Sequence, residues 1–263
     1  MSPQAPVLME WYIYPILVIA GVLVGFINTL AGSGSLITLP LLMYLGLPAN
    51  VANGTNRVAI LLQSAVGTGS FLKQKVIRIK DGIWLSVPAV VGAVIGALFA
   101  ADLNENVLRK VIGGLMVVMV SMMIFKPEAW LKGKNGYSNA RPGIIQIAIF
   151  FGIGLYGGFI QAGIGFFLLG GLVLGAGFDL MKANALKNLI VMLYTPFALA
   201  IFIWNGQVEW IIGLTLAAGN MAGAWIAARV AIKKGAKFIR IVLLVVISLA
   251  AADMLGLFRM IHL

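Results

Sequence analysis

Long apolar runs, separated by short polar clusters, follow one another almost from end to end of the chain. Eight of them are long, at roughly 11–31, 52–72, 82–101, 107–125, 143–162, 183–204, 209–228 and 239–258. Each is close to the ~20 residues that an α-helix needs to cross a ~30 Å hydrocarbon layer. Two shorter runs, at roughly 35–47 and 166–178, would reach only about 20 Å as helices. They read as half-helices, tilted short spans or arms of re-entrant hairpins. The pattern predicts an all-α polytopic membrane protein.

One stretch breaks the pattern. Between Lys126 and Pro142 lie Pro127, Glu128, Lys132, Gly133, Lys134, Asn135, Gly136 and Arg141, polar and rich in helix breakers. It divides the chain into a first repeat (1–126), a linker (127–142) and a second repeat (143–263). The two sides echo each other. Gly25-Phe26-Ile27-Asn28 returns as Gly158-Phe159-Ile160-Gln161, Gly32-Ser33-Gly34 as Gly163-Ile164-Gly165, and Ala52-Asn53 as Ala183-Asn184. The small-residue run Gly92 to Ala97 returns as Gly219 to Ala224, in the same order, which points to an internal duplication.

Charge gives these repeats a direction. Of 19 Lys and Arg residues, fifteen lie in four places: Lys73 to Lys80, Lys126 to Arg141, Lys182 with Lys187, and Arg229 to Arg240. The positive-inside rule assigns all four to the cytoplasm. The run ending at Lys73 then ends inside, whereas its counterpart ends at Asn205-Gly206-Gln207, which has no cation. The halves are therefore expected to be inverted, with about five transmembrane segments each, a short or broken helix included, and with both termini outside. Arg109 and Lys110 fit this scheme poorly. Inverted repeats with broken helices are a recurrent transporter architecture, with substrate bound between the repeats.

Composition narrows the reading further. Apolar residues make up 61% of the chain and charged ones 10%, with a mean hydropathy of +1.03, which leaves no room for a soluble domain. The absence of cysteine removes disulfides, thiolate metal sites and thiol nucleophiles. The net charge of +11 sits in loops between spans, so it is assigned to orientation and not to nucleic acid. No basic residue precedes the first run, which is expected to be retained and not cleaved as a signal peptide.

Two pairs of motifs are candidates for a binding site. The first is the polar, glycine-rich interruption that includes Asn28, Gly32, Ser33, Gly34 and Ser35, paired with Gln161, Gly163 and Gly165. A helix broken inside the bilayer exposes unpaired amides or carbonyls, and its amino-terminal end suits an anion. The alternative is that these glycines only let helices cross closely. The second pair is Asn53, Thr55, Asn56 and Arg57 against Asn184, Lys187 and Asn188. A cation inside a span costs at least ~2.5–3.5 kcal/mol on insertion scales, which invites a functional reading. Here the alternative is that both cations, about a turn from their span ends, snorkel to the interface. Gln63, Ser64, Thr68 and Ser70 are read as helix-joining groups, and Trp11, Trp84, Trp204 and Trp210 as interfacial anchors.

The missing groups also count. Seven of the eight carboxylates map to loops or span boundaries, Asp253 lies near the end of the last run, and His262 is the single histidine. Neither a histidine catalytic group, a multi-histidine metal site nor a buried acidic proton relay can be assembled. No Walker-type loop is present. The expectation is a non-enzyme without cofactor or metal that moves an anion, whose exit an inside-negative potential favours by about 2.3 kcal/mol per charge per 100 mV.

The run from Gly25 to Ser35, followed by a Pro-containing short segment and Ala52-Asn53-Gly54-Thr55-Asn56, resembles the TauE/SafE family of sulfite and organosulfonate transporters, also described as 4-toluene sulfonate uptake permeases. The second-half motifs resemble that family's repeat too. The resemblance implies a multi-pass permease of the bacterial cytoplasmic membrane, an exporter or an uptake system, for sulfite, sulfoacetate or related anions. Its implied partners are that small anion and the lipid bilayer. Gln161 stands where the first copy has Asn28, and Phe166 where it has Ser35, so unequal use of the two motifs is expected. A permease for another small anion and a non-transporting membrane scaffold are the alternatives.

Overall fold

A computed structural model describes residues 10–114 and 142–254. The linker up to Arg141, the fourth long run beyond residue 114, Glu128, the side chain of Asp253 and His262 lie outside the described residues. The described chain is helical: α1 (Ile13–Ala31), α2 (Ser35–Tyr44), α3 (Ala49–Lys73), α4 (Ile79–Asp102), α5 (residues 105–114), α6 (Ile144–Phe159), α7 (Ile164–Gly170), α8 (Leu180–Trp204) and α9 (Trp210–Met254). A π turn, Gly171–Gly175, continues α7. Gly235, at φ 74° and ψ −173°, breaks α9 into two arms. Four helices, α1, α4, α8 and the stretch Trp210–Val242 of α9, are long and apolar enough to cross a membrane. At 25 residues α3 is as long as α8, but Asn53, Asn56, Arg57 and Gln63 dilute its hydropathy. The chain is a multi-pass membrane protein.

The two short segments turn back on themselves. Leu42 at the end of α2 and Leu47 beyond it join a cluster with Leu17, near the start of α1, and Ile212, near the start of α9. The Gln146 side chain at the start of α6 likewise donates to the Gly175 carbonyl (2.8 Å) at the end of the π turn. So α1–α2 and α6–α7 are helical hairpins. The 10 residues of α2 reach about 15 Å, half a bilayer; the short segments reverse the chain's direction without the length to cross by themselves.

Close packing explains the echo of small residues. Without water between helices, association in lipid relies on van der Waals fit, which small residues improve by letting backbones approach. Gly219 and Gly223 of α9 lie against the Val18 and Val22 carbonyls of α1, while Gly21 and Gly25 of α1 face the Leu216 and Asn220 carbonyls. The same device joins α4 to α6: Gly92 and Gly96 lie on Phe151 and Leu155, and Gly154 and Gly158 on Ala89 and Ala93. A Cβ at any of these positions would run into a carbonyl oxygen. Between the two glycine-packed pairs, α3 and α8 lie side by side, their first halves buried almost all round.

Candidate functional site

The hairpin tips meet in the interior. Gly32 ends α1 in the left-handed conformation (φ 75°) and Gly163 opens α7 in the same one (φ 68°). The Gly165 amide then donates to the Gly32 carbonyl at 3.1 Å, a backbone bond between the two breaks. The crossing is so close that a Cβ on Gly32 would meet the Gly165 backbone, and the reverse. The breaks differ in detail: α1 continues to Ala31 and stops at one glycine, whereas the second unwinds through an extended Ile160 (φ −138°) and Gln161.

A helix that stops inside a bundle leaves carbonyls without partners. The buried cations supply them, each from the opposite half. Arg57 of α3 donates from Nη1 to the Gly157 carbonyl (3.1 Å) and Gln161 Oε1 (3.3 Å), and from Nη2 to the Gly158 carbonyl and Asn53 Oδ1 (3.4 Å). Asn53 itself donates to the Phe159 carbonyl at 2.8 Å. The carboxyl end of α6 is thus capped by α3, and the guanidinium lies 4.7 Å from the centre of the Phe202 ring. Lys187 of α8 does the same for α1, donating to the Asn28 (3.0 Å) and Thr29 (2.8 Å) carbonyls and to Asn184 Oδ1 (2.9 Å). Asn188 adds a bond to Thr29 at 3.3 Å.

These bonds decide between the two readings of the cations. Arg57 is 0% and Lys187 2% exposed, so neither snorkels: each side chain turns inward because partial negative charge at a broken helix end awaits it. No carboxylate is among the buried polar and charged side chains of the described residues. The ion pairs there, Arg78–Asp81 and Arg109–Glu105, are on the surface. Among the described residues, the two buried basic side chains are therefore matched by dipoles and by no carboxylate.

A small cavity lies at the crossing, lined by Asn28, Gly32, Gln63, Gln161, Lys187 and Asn188 among others. Ser35 and Gly165 also face it. Its freely open part admits about one water molecule. Gln161 connects it to Arg57 and, through Nε2, to Tyr194 and Thr195, both at 3.2 Å. Several buried polar atoms nearby have no partner, Thr29 Oγ1, Ser33 Oγ, Arg57 Nε and Asn184 Nδ2 among them; such atoms are rare in a finished core and mark places for a ligand or water.

Most residues singled out in the sequence come together here, in distinct roles. Asn28, Gly32, Ser35, Gln161, Gly165, Lys187 and Asn188 line the cavity. Asn53, Arg57 and Asn184 form the caps behind it, and Gly34 packs against Val24 and Asn28. Asn56 donates to Ser35 (3.3 Å) and accepts from Thr38 (2.8 Å), tying α2 to α3. Thr55 stands apart: its hydroxyl accepts the Glu209 amide at 2.9 Å, at the start of α9. Sequence reasoning left Gln63 to packing, yet it both joins helices, accepting from Asn28 and Asn220 at 3.2 Å, and lines the cavity. Thr38, Tyr194, Thr195 and Asn220 were not singled out; a polar residue within a buried apolar run was their one signal.

Comparison with known proteins adds an independent line. A family model described as sulfite exporter TauE/SafE matches residues 17–254. The chain is 30% identical over 244 residues to the probable membrane transporter protein ORF9 of a Sinorhizobium species, covering 93% of this chain and 92% of that one. It is 30% identical to the probable membrane transporter protein YfcA of Escherichia coli K12, over 91% of this chain and 88% of the relative. To the probable membrane transporter protein YunE of Bacillus subtilis it is 24% identical, over 92% and 97%. No solved structure matches significantly.

Proposed function

The chain belongs to the sulfite exporter TauE/SafE family of membrane transporters, and from that premise we propose that it carries a sulfur-containing oxyanion, sulfite or a sulfonate, across a bacterial cytoplasmic membrane. The observation that carries this reading is the pair of buried cations, Arg57 and Lys187, with no buried carboxylate among the described residues, at the crossing of two broken helices. Uncompensated charge in a low-dielectric interior is costly, and a bound anion removes that cost. A metal cation would find the opposite: no cluster of three or more His, Cys, Asp or Glu is brought together among the described residues.

The inverted repeat belongs to the same reading. Matching elements make matching contacts, α1 with α9 as α6 with α4, and α3 with α9 as α8 with α4. Each repeat would consist of a hairpin and three further segments, an odd number of crossings. With the basic clusters inside, both termini lie outside. Transport proceeds by movement of one hairpin against the other around the cavity, which is closed here to all but a water-sized guest.

Purified protein in proteoliposomes tests this. Labelled sulfite or methanesulfonate should cross faster than acetate, and the same anions should raise the unfolding temperature of the detergent-solubilised protein. A folded protein that neither moves nor binds any of them would leave the scaffold alternative standing.

A further inference from the structure

The cavity's donors are not equally available. Lys187 directs its three ammonium hydrogens at three protein acceptors. Gln161 spends both amide hydrogens on Tyr194 and Thr195. Asn188 spends both on the Thr29 and Asn184 carbonyls, and Asn28 gives one to Gln63. Gln63 is different. Its Oε1 accepts from Asn28 and Asn220, which fixes the side chain from α1 and α9 together, while its Nε2 donates to no group among the described residues. That nitrogen is not among the buried atoms left without a partner, and the residue lines the cavity.

We propose that Gln63 is a substrate-binding, specificity-determining residue whose side-chain NH2 group donates to an oxygen of the anion held in this cavity, beside Lys187. The assignment rests on the anion-transport reading above and gives it an address. A carboxamide held by its oxygen, with both N–H bonds directed away, is a donor set without an acceptor, and it suits an oxyanion. Its framework spans the parts that must move: the accepting side of Gln63 bridges a hairpin helix, α1, and a helix of the other half, α9. Asn220 Oδ1, buried and unpartnered, shows that Asn220 is turned so as to present its NH2 to Gln63.

The test uses the full chain in detergent and in proteoliposomes, with sulfite, methanesulfonate and acetate as probes. Gln63→Glu is the informative variant: it has the same shape, keeps an oxygen for Asn28 and Asn220, and replaces the cavity-facing donor by a carboxylate. We expect at least a hundredfold loss of sulfite affinity in the thermal-shift titration, in a protein that still unfolds cooperatively. Gln63→Leu should weaken binding about tenfold and raise KM more than it lowers the maximal rate, because one charge-assisted hydrogen bond is lost. If Gln63→Leu fails to fold, Gln63→Glu decides alone. Sulfite affinity unchanged in Gln63→Glu overturns the assignment while leaving anion transport intact. A folded wild type that responds to no anion overturns both.

Discussion

Arg57 and Lys187 do the same job in opposite halves with unequal means. Each holds the carboxyl end of the other half's broken helix. The acceptors that Arg57 serves depend on it: the Gly157 and Gly158 carbonyls have no other donor outside their own helix among the bonds described. The two carbonyls that Lys187 serves are shared, since Asn28 O also receives the Gly32 amide (2.8 Å) and Thr29 O the Asn188 side chain (3.3 Å). Arg57 stands behind Gln161, whereas Lys187 lines the cavity directly. A planar fork serves four acceptors at once, and a compact ammonium serves three.

The largest effect should come from removing the cation whose acceptors depend on it. Arg57→Leu leaves the end of α6, Gln161 and Asn53 short of a donor inside the bundle, where each stranded group costs ~1–3 kcal/mol. A loss of ~3 kcal/mol or more is expected, seen as a collapse of the unfolding temperature and of monodisperse yield. Arg57→Lys should recover only part of it, because three donors cannot replace the fork. Equal stability of Arg57→Leu and wild type would break the comparison at its root.

Next in size is the cation with shared acceptors. Lys187→Gln keeps a donor for α1 and removes the charge, so stability should fall by only ~1–2 kcal/mol. Transport should suffer more, by roughly ten- to a hundredfold in efficiency, because the positive charge lining the cavity is lost although its three hydrogens are held by the protein. Measuring flux and unfolding on the same preparations separates the two cations: Arg57 variants lose fold first, Lys187 variants lose flux first. A Lys187→Gln protein with full flux and poor stability would make both residues caps and nothing more.

The pattern of apolar runs made the helices legible to within a few residues, and the glycine echo pointed to packing that turns out to be used twice, on α1 with α9 and on α4 with α6. Local periodicity carries that much because a helix spanning lipid must satisfy its own backbone. What the cations do was not legible. Arg57 meets a carbonyl 100 residues away and Lys187 one 159 residues away, and whether a cation near a span end turns outward or inward depends on what is broken beside it. The echo that aligns Asn53 with Asn184 sets Arg57 opposite Asn188 and Asn56 opposite Lys187, so the shared role is displaced by one position between the halves. Gln63 went unselected for a related reason: an amide within a span that joins helices looks the same in sequence as one that also faces a cavity.

The smallest effect sharpens the boundary of the site. Thr55 belongs by sequence to the same cluster as Asn53, Asn56 and Arg57, and it lies one turn or less from each along α3. Its hydroxyl, however, faces the start of α9 and accepts the Glu209 amide, one of the amino-terminal N–H groups that a helix cannot satisfy internally. Thr55→Val nearly conserves volume and strands that single donor, so a destabilisation of ~1 kcal/mol is expected. Sulfite affinity and flux should stay at the wild-type level, because the lost bond serves neither the cavity nor a hairpin tip. The measurement pairs a thermal unfolding curve with a sulfite titration. A clear fall in affinity at unchanged stability would extend the site along α3 toward its first turn, and would remove the distinction between residues that hold the broken helices and residues that meet the anion.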